Sequence, residues 1–306
     1  MVENIKIKQI KRVLSEEKKF LDNDEYENFC KNISNYLIEF EKTGKRTFYE
    51  KAIVFGEEKL VETSLSRSLS YFAGRKISEA IVSFNSNPCD DTFTKLINAY
   101  ILDLSTFIAA SENFKKASVS FLDSDIGLLY ILTITFCPEI IDKVEPIILK
   151  GLQYCQQVRD NCIRPMRGSY GRDGILYLVY GLAREYNRNE SATNQILSYC
   201  NQTIEPSCIK AVEKVFSNDE TEIQGIIDEL AEYHIKKSKT SDLTYPFHRN
   251  HWIYFPIEIL GLLKIRADKK LNNSFISHPL INIFCPFLNM KLELESSVTQ
   301  LLNKLL

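Results

Sequence analysis

Residues 96–108 read LINAYILDLSTFI. Apolar side chains fall at Leu96, Ile97, Tyr100, Ile101, Leu104, Phe107 and Ile108. That three-and-four spacing lines one side of an α-helix with a stripe broad enough for a core. The same spacing recurs outward in both directions. Residues 24–42 carry Tyr26, Phe29, Ile33, Tyr36, Leu37 and Phe40 on one face, and Gly44 supplies a stop. Residues 57–84 read as a further helix through Leu60, Leu65, Leu69, Phe72, Ile77, Ala80 and Ile81. Gly74 weakens its middle by about 1 kcal/mol relative to Ala. The segment NSNPCDDTF, 85–93, breaks the chain, and Asp90 or Asp91 suits the cap of the next helix.

Downstream, IGLLYILTITFC at 126–137 reads as a buried core helix. About a dozen residues fall short of the ~20 that span a bilayer. Pro138 starts a helix that Pro146 interrupts or restarts, and Asp173 caps another. Two short helices fit 190–202 and 206–216. Ser217 and Glu220 have capping-box spacing for a helix over 218–237, with Ile223, Ile226, Ile227, Leu230 and Tyr233 inward. Its acidic first turn and basic last turn suit the helix dipole. Final helices fit 279–289 and 292–305. No strand alternation and no Asn-Gly hairpin turn stands out. The expected fold is all-α, an irregular helical bundle or an α-solenoid-like array of antiparallel helices.

The bulk numbers agree. The chain has 306 residues, 44% apolar and 25% charged, with only 11 Gly and 9 Pro. Few turn residues favour long helices. The net charge of -2 argues against a general nucleic-acid binder. Eight cysteines include no CxxC pair, and the first twenty residues have no apolar stretch of a secretory signal. Reduced thiols and a cytoplasmic location are expected.

Three constellations are chemical candidates. Residues 244–263 read TYPFHRNHWIYFPIEILGLL, with His248 and His251 three apart beside Trp252, the only tryptophan. One helical turn would put both imidazoles on one face, but zinc needs further ligands. Glu258, His278 and Cys285 are the available companions, and Pro246 and Pro256 oppose a continuous helix. The plainer reading wedges Trp252 and Tyr254 into the core. The segment RPMRGSYGRDG, 164–174, spaces Gly168, Gly171 and Gly174 among Arg164, Arg167 and Arg172. It lacks the preceding strand and the motif of a phosphate loop, so it reads as a connection. The acidic turns at 22–25 and 218–222 suit helix starts, and they also suit contact with a basic partner. No catalytic residue, metal ligand set or cofactor motif is assigned.

Three pieces of the C-terminal third carry a family resemblance: AVEKVFSNDETEIQGIIDELAEYH (211–234), WIYFPIEILGLLKIRADKKL (252–271) and SFISHPLI (274–281). In order and pattern they resemble immunity protein family forty-nine of bacterial polymorphic-toxin systems. The region is also similar to a second immunity family that guards against nuclease effectors. Trp252, Phe255 and Glu258 echo that family's W-x-F-E pattern, with Pro256 and Ile257 intervening. Ile259, Leu260 and Leu262 stand where it has small alanines.

The resemblance implies a non-enzymatic inhibitor that binds a cognate toxin or effector acting in the cytosol, and no nucleic acid or membrane. Asp219, Glu220, Glu222, His248, His251, Trp252 and Tyr254 are the expected partner contacts, with His248 and His251 near the surface. The expected division is an N-terminal helical region at 1–88 and a C-terminal immunity-like domain at 89–306, or one continuous unit. Two other readings stay open: a helical scaffold for a peptide or regulatory partner, and a metal-dependent enzyme using His248 and His251.

Overall fold

A computed structural model describes residues 2–117, 120–160, 172–186, 188–200, 204–240 and 242–306. The fold is all-α apart from one two-stranded hairpin. The chain divides into two compact units. One comprises Leu14–Ser120 and Leu292–Leu306, the other Met1–Val13 and Phe121–Lys291.

The helix α1 covers Val2–Leu21 and α2 covers Asp24–Thr43. Gly44 follows with a φ of 75°, and its N–H donates to the Phe40 carbonyl, which confirms the expected stop. Next come strands β1 (Thr47–Val54) and β2 (Glu57–Ser64), paired antiparallel, where a helix from residue 57 was expected. Ser64 ends the hairpin and caps α3 (Leu65–Ser86), accepting from the Arg67 N–H at 3.2 Å. The helix expected over 57–84 therefore begins eight residues late. The tight connection at 87–89 turns the chain into α4 (Asp90–Ala110). Cys89 occupies the cap position, and Thr92 Oγ1 accepts from its N–H at 3.1 Å; Asp90 and Asp91 lie inside the first turn.

Helices α3 and α4 pack along each other, and α2 packs on α3. This packing ties residues on both sides of 88 into one unit, so no division falls there. The C-terminal helix α13 (Ser296–Leu305) rests on α4 and α2, anchored where the Glu295 N–H donates to Asn98 Oδ1 at 2.8 Å.

In the other unit, every residue of α5 (Asp123–Phe136) is buried, as its apolar run requires. Packed on it are α6 (Ile141–Asp160), α7 (Arg172–Glu185) and α12 (Ile257–Asp268). A 3-10 turn at Pro138–Ile140 precedes α6, and Pro146 lies within α6 without ending it. Asp173 falls inside α7 rather than before it. Helices α8 (Glu190–Ser198), α9 (Pro206–Lys214), α10 (Glu220–Lys236) and α11 (Asn250–Tyr254) complete this unit. Ile223, Ile226, Ile227, Leu230 and Tyr233 of α10 are buried, as their spacing predicts. The segment 279–289 forms turns and one 3-10 turn at Cys285–Phe287, not a helix.

Helix approach depends on missing side chains. A Cβ on Gly181 of α7 would sit 2.6 Å from Val212 Cγ2 on α9. One on Gly261 of α12 would sit 2.7 Å from Ile131 Cγ2 on α5. Among the described residues no single helix is long and apolar enough to cross a membrane. Helices α5 and α6 are bent by 112° at their junction.

Candidate interaction surface

The hairpin is the element whose side chains are least accounted for by the fold. Its base is anchored. Phe48 is buried and stacks on Tyr36 with ring centroids 4.6 Å apart, and Lys45 Nζ lies 5.6 Å from the Phe48 ring. Across the ladder, Thr63 is buried opposite Phe48. Beyond Glu50 the hairpin becomes an arm: Lys51, Ile53 and all of Phe55–Leu60 are exposed.

Strand geometry sorts these side chains by face. Tyr49 and Ile53 share one face, and Leu60, paired with Lys51, lies diagonally between them. They are 54%, 80% and 67% exposed. Phe55 at the tip is 99% exposed. Four of the seven exposed large apolar side chains described in the chain thus sit on this hairpin. Lys51 pairs with Glu58 at 3.3 Å and Lys59 with Glu57 at 3.0 Å, exposed contacts of little energetic weight. Four glutamates against two lysines leave the whole hairpin, residues 47–64, at -2, while the arm from Lys51 to Leu60 is balanced.

The turn itself is two residues, Phe55 and Gly56, with φ of 53° and 83°. Positive φ at both positions is what a type I′ hairpin turn demands, and Asn-Gly meets it without strain. A phenylalanine in the left-handed region costs about 1–2 kcal/mol. The Phe-Gly pair hid the hairpin from a search for Asn-Gly. The aromatic and β-branched content of TFYEKAIV was the signal that could have found it.

The expected contacts fall into two groups. Asp219, Glu220 and Glu222 gather at the start of α10. Asp219 is its N-cap, with Oδ1 accepting from the N–H groups of Thr221 at 2.9 Å and Glu222 at 3.1 Å. The cap is therefore two residues beyond Ser217. Glu220 is exposed and accepts from Asn272 Nδ2 at 3.3 Å; Glu222 is half-buried.

The second group is interior. His248 is buried, a correction to its expected surface position. Its Nε2 lies 3.7 Å from Asp125 Oδ2, too far for a hydrogen bond. Asp125 Oδ2 instead accepts from the Leu122 N–H at 3.0 Å, and Arg249 Nε lies 3.4 Å from Oδ1. Burial holds the His248 imidazole below its ordinary pKa; Arg249 and His251 push the same way and Asp125 opposes them. His251 is half-buried, its ring 4.9 Å from that of Trp252. Trp252 and Tyr254 are buried, so neither is a ready contact. Tyr254 meets Phe284 edge-on at 5.7 Å, and burial pushes its phenol pKa up. Pro256 stands just before α12, and α11 is only five residues long, as the two prolines predict.

The companions considered for a metal do not join His248. Glu258 is fully buried, and its Oε1 lies 2.6 Å from His234 Nδ1. His278 Nδ1 accepts from the Leu280 N–H at 3.3 Å. Among the described residues no three His, Cys, Asp or Glu side chains gather as a metal site. Cys285 instead borders a cavity of about 490 Å³ walled by Leu263, Leu271, Ile276 and Leu288, and burial raises its thiol pKa to about 11. Arg164, Arg167, Gly168, Gly171 and Cys162 lie outside the described residues.

Two interior features had escaped the sequence. His234, buried in the last turn of α10, ties it to Glu258 of α12, so two of the pieces that carry the family resemblance meet here. Arg266 is buried and serves neutral acceptors: Ser217 O at 3.1 Å, Asn272 O at 3.0 Å, Asn273 Oδ1 at 2.9 Å, and the Val215 carbonyl. No protein-family model, curated protein or solved structure matches the chain.

Proposed function

We propose that this chain is a non-catalytic immunity protein that binds and neutralises a bacterial toxin or effector acting in the cytosol. The observation that carries the reading is the arm, where exposed apolar side chains concentrate on an acidic hairpin. Contiguous exposed apolar surface on a folded protein marks an interaction site. Aromatic residues dominate the energetics of such sites. The hairpin's net charge of -2 suits a basic partner, which is common among proteins that act on nucleic acid. The acids at the start of α10 offer a second surface of the same sign. The pattern over 211–281 supports the same class. The reading needs no cofactor and no chemistry from this chain.

The test is co-expression with the toxic domain encoded beside this gene, scored by growth rescue and by isolation of a stable complex. A wild-type chain that neither rescues growth nor binds that domain overturns the reading. Reversing Asp219, Glu220 and Glu222 to lysine should slow association at low salt. An unchanged rate removes the α10 surface from the interface while leaving the arm in it.

A further inference from the structure

We infer that Phe55 is the anchor of this interface, a ring held out to enter an apolar pocket on a basic partner protein. This rests on the function proposed above and names the chemistry of its partner. Phe55 carries two costs at once. Its backbone sits at a φ of 53°, where asparagine or glycine is the relaxed choice. Its ring is 99% exposed, so no contact in the free protein offsets the strain. Strain of this kind clusters at functional positions.

The anomaly is confined to the tip. Gly56 takes its φ of 83° naturally, and the base of the arm is conventionally made, with Phe48 buried and Ser64 capping α3. Eight cross-strand pairs run from Thr47↔Ser64 to Val54↔Glu57. A two-residue turn on that ladder holds the ring in one place, so little freedom is lost when it docks. Tyr49, Leu60 and Ile53 extend the apolar surface down one face.

Charge selects among occupants. Near the tip, Glu57 and Glu58 are balanced by Lys59 and Lys51. Glu50 and Glu62, toward the base, leave the whole hairpin at -2. An anionic lipid surface attracts basic segments and would repel this one. A second copy would set two acidic hairpins together. A protein surface with a phenyl-sized pocket for the ring, and lysines or arginines set farther along to meet Glu62 on the face of Tyr49, Leu60 and Ile53, suits both the ring and the charge.

The test compares wild type with Phe55→Asn and Phe55→Tyr, using the toxic domain encoded beside the gene as the binding probe. Asparagine relieves the backbone and removes the ring. Phe55→Asn should melt at or above the wild-type temperature while binding the domain at least about 30-fold more weakly, the loss expected of a hot-spot residue. Phe55→Tyr should keep most of the affinity. Wild-type affinity in Phe55→Asn overturns the anchor and leaves the proposed function standing. A lower melting temperature in Phe55→Asn shows that the ring supports the fold, which also overturns it. No binding by the wild-type chain overturns both proposals. Two further results count against a protein pocket. One is a wild-type dimer that Phe55→Asn makes monomeric by sedimentation. The other is Phe55-dependent flotation with phosphatidylcholine or phosphatidylserine vesicles.

Discussion

Replacing Glu258 tests how α10 and α12 are held together. Glu258 is fully buried and has one described partner, His234 Nδ1 at 2.6 Å. On the other side of that ring, Nε2 lies 3.1 Å from the Ile253 carbonyl oxygen. A carbonyl only accepts, so Nε2 carries a proton. A bond between Nδ1 and Oε1 then requires one further proton between them. The pair is either a neutral imidazole receiving from a carboxylic acid or an imidazolium facing a carboxylate. Glu258→Ala removes that partner and leaves Nδ1 buried beside a void. Breaking a buried pair from one side costs about 3–5 kcal/mol. In a unit of this size that lowers the melting midpoint by roughly 6–20 °C. Glu258→Gln returns an N–H donor at nearly the same place and should cost about 1 kcal/mol. Urea unfolding followed by the fluorescence of Trp252, buried in the same unit, reads both variants. Equal losses for Ala and Gln, or a loss below about 1 kcal/mol for Ala, would refute the bond as the link.

Three further outcomes follow from particular contacts. Gly181→Ala should destabilise by about 1–3 kcal/mol, because the new methyl meets branched Val212; the double variant with Val212→Ala should recover much of it in thermal melts. His248 makes the protein acid-sensitive. The unfolded chain takes up this proton near pH 6.5 and the folded one only below it, so stability falls as pH drops beneath 6.5. As pH is lowered from 8 to 5, the melting temperature should fall less steeply for His248→Gln than for wild type. Arg266→Met should cost about 3 kcal/mol by leaving carbonyls near residues 215–217 and 272 without a donor. Arg266→Lys should recover little of it in urea unfolding, since an ammonium cannot span that set of acceptors.

Much of the fold was legible because its signal is local. The stripes of α4 and α10 are read from residues three and four apart, and those faces are the buried ones. Helix limits were less legible. Asp219 rather than Ser217 caps α10, and Cys89 rather than Asp90 or Asp91 takes the cap of α4, because neighbouring residues compete for one backbone site. The hairpin was missed for a different reason. Lys51, Ile53 and Phe55–Leu60 are exposed, so that part of the hairpin shows no alternation of buried and exposed positions, and Phe-Gly replaces the usual turn pair.

Of the candidate contacts, the acids lie at the start of α10 as the sequence suggested, and Trp252 and Tyr254 take the core positions of the plainer reading. Trp252 and Tyr254 are interior because α11 turns them into the core; His248, which precedes that helix, is buried near Asp125, and no rule of spacing tells a buried imidazole from an exposed one. The meeting of His234 with Glu258, 24 residues apart, and of Asp125 with Arg249 from distant parts of the chain, is likewise set by packing. By itself the sequence determined the helical class, since helix periodicity is a property of near neighbours. Only the tertiary structure decided which polar groups are sealed inside and which aromatic ring is left in water. Burial depends on what the rest of the chain places against a residue.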